Sequence, residues 1–289
     1  MSAALRCAGL GHRYSRGLWG VRDCNLAVPA GRVVALVGPN GSGKTTLMSM
    51  AAGLLPASEG SVETAGGAPA ERLDRIGFVA QDAPLWPRLR VADVLEIGRC
   101  MNPRFDSALA AARIRRLGIR QRARISALSG GHRAQVALTL VLAKRPDLFL
   151  LDEPMANLDP LARREFLASM FGACSETGAT VLYSSHSVAE LERICDYLIV
   201  LRAGQVRIAG DIDELRQRHL VISGPEGWPG TGGWQVVSQR STTGRTIALV
   251  RSGTQLVGPG LQAAPPTFDE LVLGYLDGDA AAHPKGALA

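Results

Sequence analysis

Short runs of branched apolar residues alternate with amphipathic stretches along the first 210 residues. The apolar runs predict buried strands over Val33–Val37, Ile76–Ala80, Leu148–Leu151, Ala179–Ser184, Tyr197–Leu201 and Val206–Ala209. Between them, helical patterns are found over Thr45–Leu55, Arg133–Ala143 and Leu161–Glu176. Strands separated by helices favour an α/β fold with a mainly parallel core sheet.

The alternation breaks at two places, and these divide the chain. Residues 91–145 are predicted to be helical throughout, which makes them a helical insertion into the sheet domain. After Gly210 come a helix capped by Asp211, turn-rich segments and two short strands near Gln235–Ser238 and Thr246–Val250. We therefore expect one domain over 1–219, with a helical subdomain at about 82–145, and a small αβ appendage over 220–289 with a frayed end.

A last amphipathic helix is predicted over Phe268–Leu276. Its apolar residues recur at i, i+3, i+4 and i+7, which gives one stripe made of Phe268, Leu271, Val272 and Tyr275. A helix this short is marginal in water, so the stripe must pack against something. The candidate partners are the strands within 235–250 of the same tail and the tail of a second subunit, and we expect packing within the chain.

Composition narrows the class of protein. The chain has 289 residues, of which 46% are hydrophobic and 20% charged, as in an ordinary globular protein. No apolar run approaches the length that spans a bilayer, and the first ten residues lack a signal-peptide pattern. The five cysteines are scattered and never in CxxC spacing, so we expect a reducing compartment and neither a disulfide framework nor a zinc site.

Charge is distributed unevenly. Residues 1–145 contain 21 Lys+Arg and 9 Asp+Glu, whereas residues 146–289 contain 11 and 17. Within 99–133 there are nine arginines and a single acid, Asp106. Such a segment suits nucleic acid, anionic lipid head groups or a polyphosphate, but a solvated helix face explains it equally well.

A phosphate-binding loop follows the first predicted strand. The segment matches GxxxxGK[ST] and lies between a strand and a helix, where its backbone N–H groups and the helix N-terminus can hold phosphate oxygens. The lysine would reach the β- and γ-phosphates, and the hydroxyl after it would ligate magnesium. The residues are Gly38, Pro39, Asn40, Gly41, Ser42, Gly43, Lys44 and Thr45.

Two adjacent acids end the strand Leu148–Leu151. Side chains alternate across a strand, so Asp152 and Glu153 point in different directions. One can hold the magnesium shell while the other orients or deprotonates water. A phosphate loop alone leaves kinases, GTPases and motor ATPases open, and this second strand with its two acids narrows the choice.

A second anion-binding nest is predicted at Ser129-Gly130-Gly131, which precedes a helix. A single nucleotide rarely needs two such nests from one chain. The second nest makes sense if it covers the nucleotide of another copy.

With these motifs in this order, residues 4 to about 219 resemble the ATP-binding subunit of an ATP-binding cassette (ABC) transporter. The resemblance implies a P-loop NTPase fold in which an antiparallel β subdomain and a helical insertion accompany the parallel core sheet. The resemblance implies that Tyr14 stacks on adenine, that Gly38–Thr46 forms the P-loop, and that Gln81 is the Q-loop glutamine, which contacts magnesium and assists catalysis. It further implies ATP and Mg²⁺ as cofactors, with site residues as follows: Ser129, Gly130 and Gly131 as signature; Asp152 as magnesium ligand; Glu153 as catalytic carboxylate; Asp159 in the D-loop; His186 as switch histidine; and Lys44 and Thr46 in the P-loop.

Four histidines lie outside the roles that the resemblance assigns. His132 stands where the family signature usually has glutamine, and we interpret it as a tolerated polar replacement. His12, His219 and His283 have no motif around them and are expected at the surface.

The resemblance also implies a mechanism. Two copies, expected to form a homodimer, would close head to tail around two MgATP and reopen on hydrolysis. They would drive a separate transmembrane permease at the cytoplasmic face of a bacterial membrane, with no nucleic-acid partner expected. The closing segment 266–276 is similar to ATPases of ABC-2-type exporters, which favours export. A soluble ABC-type ATPase acting on nucleic acid or ribosomes remains the alternative, since the pI of 9.4 would suit it.

Overall fold

The computed structural model describes residues 2–15, 17–81, 84–155, 158–185, 187–226, 234–242, 244–251 and 260–278. The strands are β1 Ala3–Arg13, β2 Trp19–Pro29, β3 Val33–Val37, β4 Glu59–Thr64, β5 Ile76–Val79, β6 Leu148–Asp152, β7 Thr180–Ser184, β8 Tyr197–Arg202, β9 Gln205–Asp211, β10 His219–Pro225, β11 Gln235–Thr242, β12 Arg245–Arg251 and β13 Gln262–Ala264. The α-helices are α1 Lys44–Ala51, α2 Val91–Met101, α3 Ser107–Arg116, α4 Gly130–Ala143, α5 Pro160–Thr177, α6 Val188–Ile194, α7 Ile212–Gln217 and α8 Phe268–Asp277.

A six-stranded sheet in the order β5-β6-β7-β3-β8-β9 forms the centre of the fold. Its strands are parallel except for β9, which runs antiparallel to β8. Because the carboxyl ends of parallel strands share one edge, the segments that follow β3, β5, β6 and β7 meet there. The α/β fold with a parallel core sheet is confirmed.

Each central strand buries both faces. In β6, Phe149 and Leu151 enter the hydrophobic cluster beneath α4, α5 and α6, while Leu148 and Leu150 enter a second cluster with α1 and the N-terminal strands. This alternation is the two-residue period of a strand, and it explains why the sequence shows a continuous apolar run there.

The N-terminal strands form a separate antiparallel sheet in the order β2-β1-β4. This sheet is the antiparallel β subdomain that the resemblance implied. The two long strands β1 and β2 were not located from the pattern, because several register shifts interrupt their pairing and therefore their alternation.

The insertion is not helical throughout, so that prediction was wrong. Helices α2, α3 and α4 account for much of 91–145, but 117–129 contains only the 3₁₀ turn Ile125–Ala127. The turns of 121–126 instead lie antiparallel to 87–92, with one isolated bridge between Arg90 and Arg124 and backbone hydrogen bonds such as Val91 N to Ala123 O at 3.0 Å and Ile125 N to Leu89 O at 2.9 Å. Gly118, with φ 66°, ends α3 and turns the chain.

The C-terminal region forms a four-stranded antiparallel sheet, in the order β11-β12-β10-β13, with α8 packed against it. The apolar stripe of α8 also contacts α6 and β8. Phe268, Leu271, Val272 and Tyr275 thereby join the same hydrophobic cluster as Leu191 of α6 and Val200 of β8. The stripe packs within the chain, as expected, but its partners include the central domain as well as the strands of the tail.

Two of the histidines expected at the surface are buried, which corrects that prediction. His12 is 8% exposed and its Nδ1 lies 2.9 Å from Pro56 O; His219 is 2% exposed and bonds Leu215 O and the Tyr275 hydroxyl. Both imidazoles are buried because their polar atoms find partners. His283 lies outside the described residues.

Candidate functional site

The P-loop connects β3 to α1 at the carboxyl edge of the sheet. Gly41 and Gly43 have φ of 76° and 105°, a backbone region that favours glycine. A Cβ at Gly43 would collide with Gly20 O, and one at Gly38 would collide with Leu201 O. These glycines let the loop bend tightly against β2 and β8.

The loop fits a polyphosphate. No side chain caps α1, so its first backbone N–H groups remain for an anion, and the buried Ser42 hydroxyl has no hydrogen-bond partner among the described residues. Lys44 Nζ donates to Gly38 O at 2.8 Å and to Pro39 O at 3.3 Å. Burial lowers the pKa of the Lys44 ammonium group, and the charges of Glu153 and Asp152 offset this in part.

Thr45, in the first turn of α1, and Asp152, at the end of β6, are brought together. Thr45 Oγ1 donates to Asp152 Oδ2 at 2.6 Å, and Ser184 Oγ, at the end of β7, donates to Asp152 Oδ1 at 2.7 Å. The Asp152 carboxylate is therefore held from both sides at 2% exposure. A hydroxyl and a carboxylate in this position are oxygen ligands of the kind that Mg²⁺ prefers.

Glu153 has an unusual backbone conformation. Its φ of 48° is left-handed, which costs roughly 1–2 kcal/mol in a residue other than glycine. Its N–H donates to Ser184 Oγ at 3.0 Å, and its Oε2 accepts from Gln81 Nε2 at 3.3 Å. Strain of this kind is often found where a side chain is aimed for function.

Tyr14 is placed beside the P-loop helix. Its hydroxyl lies 2.9 Å from Thr46 Oγ1, while the side chain remains 44% exposed. Gly20 passes directly behind this contact, where a Cβ would lie 2.7 Å from the Tyr14 ring and 2.8 Å from Thr46. The aromatic face is thus fixed next to the loop, as an adenine platform requires.

The second nest lies apart from the first. Ser129 caps α4 by accepting from His132 N at 3.2 Å, and Ser129 and Gly130 are exposed, with Gly131 half-buried. Among the described residues, no hydrogen bond links Ser129, Gly130 or Gly131 to the P-loop. Asp159 caps its own helix, α5, through Ala162 N at 2.9 Å. His186 lies outside the described residues.

Ser184 is the site residue that the sequence analysis missed. Its hydroxyl connects the Asp152 carboxylate to the Glu153 backbone, and it is fully buried. The available signal was a hydroxyl residue at the end of the predicted strand Ala179–Ser184. A second missed feature is the β8–β9 turn, where Gly204 N donates to Ser42 O at 2.9 Å and supports the P-loop from behind.

A groove separates the central sheet from the helical subdomain. It has a volume of about 300 Å³ and is lined mostly by apolar side chains. Three large apolar side chains along it are exposed: Leu54 (65%), Leu73 (52%) and Trp86 (57%). Gln81 lies in the segment that joins the Phe78 side of the groove to Trp86.

Comparison with known proteins places this geometry in context. The family model described as "ABC transporter" matches residues 21–156. The molybdenum import ATP-binding protein ModC of Mesorhizobium japonicum is 38% identical over 202 residues, 65% of this chain and 54% of that protein, so the match spans about half of that relative. The aliphatic sulfonates import ATP-binding protein SsuB 2 of Xanthomonas axonopodis pv. citri is 38% identical over 213 residues, 71% of this chain and 72% of that protein.

Solved structures agree on the fold. An ATP-binding subunit of an ABC transporter, 27% identical, superposes with a TM-score of 0.67 over 74% of this chain and 92% of its own. A dimeric ATP-binding cassette in a post-hydrolysis state with ADP and phosphate, 22% identical, gives a TM-score of 0.65. Among the described residues, no helix is both long enough and apolar enough to cross a membrane.

Proposed function

This chain belongs to the ATP-binding proteins of ABC transporters, and from that premise we propose that it powers a separate transmembrane permease. It is an ATPase, and its cofactors are ATP and Mg²⁺. The observation that carries the proposal is the hydrogen bond from Thr45 to Asp152, which joins the P-loop to the strand end that carries Glu153.

The chemistry follows from where the side chains lie. Mg²⁺, when bound, neutralises charge on the phosphates. Thr45 and Asp152 are the residues that would hold it, and the Lys44 ammonium group offsets phosphate charge. Glu153, held by Gln81, polarises the attacking water, and we propose that His186 contacts the γ-phosphate. Tyr14 orients the adenine.

We further propose that two copies form a homodimer. Among the described residues, no acidic side chain is hydrogen-bonded to the Ser129-Gly130-Gly131 nest. The nest would therefore cover the nucleotide in the P-loop of the other copy, and Asp159 would lie where the two copies meet. ATP would then hold the closed state by satisfying donors from both subunits, and hydrolysis would release it.

The permease would dock in the groove beside α2. A transmembrane partner can offer an amphipathic helix, and the exposed Leu54, Leu73 and Trp86 side chains fit its apolar face. Because the Gln81 segment borders the groove, changes at the nucleotide reach the partner directly. This arrangement puts the chain at the cytoplasmic face of the membrane.

The direction of transport has two candidates. Export rests on the similarity of the closing segment 266–276 to ATPases of ABC-2-type exporters. The relatives named above are import ATPases, and they give export no support. Import is the second candidate, favoured by that similarity. Inverted membrane vesicles that contain the chain and its permease separate the two, because ATP outside them loads the lumen in export and empties it in import.

The hydrolytic assignment is tested by Glu153→Gln. This change keeps shape and hydrogen bonding but removes the base, so turnover should fall at least about a hundredfold while ATP binding remains. The matched control is Glu176→Gln, an exposed glutamate on α5, which should turn over normally. Near-normal turnover in Glu153→Gln would show that another group is the base.

A further inference from the structure

Two paired segments in the helical subdomain carry exposed arginines. Residues 87–92 and 121–126 lie antiparallel, joined by backbone hydrogen bonds and by one bridge between Arg90 and Arg124, and exposed residues alternate with less exposed ones in both. Leu89 and Ile125 face inward to the hydrophobic cluster of the subdomain. The outward positions are arginines, which together with Arg120 form a surface that we name the arginine surface: Arg88, Arg90, Arg120, Arg122 and Arg124.

These five guanidinium groups lack acidic partners. Across the described residues, none of them forms an ion pair. The three acids of 84–133 serve elsewhere: Asp93 accepts from Arg90 N at 2.9 Å, Glu96 pairs with Arg99, and Asp106 pairs with Arg145. Arg90 and Arg124 lie directly opposite each other in an antiparallel bridge, where two like charges are destabilising.

Local structure explains other arginines of this subdomain but not these. Arg113 is partly buried, with its guanidinium bonded to Gln135 and Thr139, and burial lowers its pKa to about 10. Arg115 and Arg116 lie in the last turn of α3, where positive charge is favourable. Arg90, in contrast, is the N-cap of α2, where positive charge is unfavourable.

We propose that the arginine surface contacts the anionic head groups of the membrane beside the permease. The inference rests on the proposed function, since it takes the groove as the permease site. Arg88 is two residues from Trp86 at the edge of that groove, at most about 7 Å along an extended chain, and Arg90 at most about 14 Å. Arg124 lies opposite Arg90, so the surface and the groove are adjacent.

The shape of the surface favours a bilayer over nucleic acid. The paired segments expose their arginines, and the large aromatic beside them, Trp86, has the amphipathic ring that is typical of a membrane interface. Each residue of a juxtamembrane basic cluster raises partitioning to anionic lipid roughly fivefold. The two segments share a single bridge, between Arg90 and Arg124, which makes too short a ribbon to enter a DNA groove.

The test measures binding of the full chain to lipid vesicles by flotation. Vesicles contain either phosphatidylcholine alone or phosphatidylcholine with phosphatidylglycerol, at low salt and at about 150 mM salt. The test variant combines Arg88→Gln, Arg90→Gln, Arg122→Gln and Arg124→Gln. The control variant loses the same charge at exposed arginines elsewhere, through Arg6→Gln, Arg218→Gln, Arg240→Gln and Arg245→Gln.

The chain should float with the anionic vesicles only, less so at the higher salt. The test variant, which lacks four charges, should partition roughly 600-fold more weakly at low salt. The control variant should behave as the unaltered chain. The proposal is overturned if the chain does not bind anionic vesicles at low salt, or if both variants lose vesicle binding equally. It is also overturned if the chain binds duplex DNA in preference to the vesicles. ATP binding and turnover, measured on the same proteins, report separately on the proposed function.

Discussion

Among single residues, Ser184 joins the two acids at the end of β6. One hydroxyl donates to Asp152 Oδ1 and accepts from the Glu153 backbone N–H. That second bond holds the left-handed backbone of Glu153 in place. Ser184 is therefore a positioning residue, acting through the acids rather than on the nucleotide.

Ser184→Ala should lower both stability and turnover. The buried Asp152 oxygen and Glu153 N–H lose their partner, which costs about 1–3 kcal/mol in the free energy of unfolding. Urea denaturation and ATP turnover measure the two effects. Ser169→Ala is the control, because that hydroxyl bonds only Glu165 O within its own helix. Equal losses of stability and turnover in both variants would contradict the positioning role of Ser184.

Lys44 gives the site a dependence on pH. Burial lowers the pKa of its ammonium group in the free protein, and a bound polyphosphate favours the charged form. ATP affinity should therefore weaken as pH rises through this lowered pKa, below the usual value of about 10.4 for lysine. Titration with a fluorescent ATP analogue at successive pH values checks this. An affinity that stays constant up to pH of about 10 would contradict it.

At the scale of elements, helix α8 ties the C-terminal sheet to the central domain. The Tyr275 hydroxyl lies 2.7 Å from His219 Nε2 and accepts from Arg251 Nε at 3.0 Å. His219 Nδ1 lies 2.7 Å from Leu215 O, so one tyrosine connects α8 to β10, β12 and α7. The lowered pKa of His219, which burial causes, keeps this imidazole neutral.

Tyr275→Phe should therefore destabilise the protein. Removing the hydroxyl takes this partner from the buried His219 Nε2 and from Nε of the half-buried Arg251, at about 1–3 kcal/mol in the free energy of unfolding. The control is Tyr197→Phe, a half-buried tyrosine whose hydroxyl has no hydrogen bond among the described residues. Thermal denaturation compares them, and ATP binding by the folded proteins should be unchanged. A smaller effect at Tyr275 than at Tyr197 would contradict the account.

The elements that the sequence predicted well have strong local signals. Val33–Val37 was located to the residue because a buried parallel strand is apolar throughout, and α4 and α5 because their patterns are long. The same reasoning missed the pairing of 87–92 with 121–126, because no local sequence pattern distinguishes these segments from the ends of helices. The motif residues of the P-loop were found, whereas Ser184 depends on which strands are neighbours, and strand order is a property of the tertiary fold.

For the whole molecule, the central claim is that the two nests act across two copies. Within the described part of one chain, no hydrogen bond joins the P-loop to the Ser129 nest. The strongest inference from this separation is that ATP completes its contacts only in a dimer. Such a dimer would form with MgATP and dissolve once Glu153 has promoted hydrolysis.

The most direct measurement is the mass in solution of Glu153→Gln protein by light scattering, with and without MgATP. We expect a dimer with MgATP and a monomer without it. Adding Ser129→Arg should keep the protein monomeric with ATP still bound, because a bulky cation fills the nest that faces the other nucleotide. A Glu153→Gln protein that binds MgATP yet remains monomeric, or a Ser129→Arg monomer that no longer binds ATP, would contradict the claim.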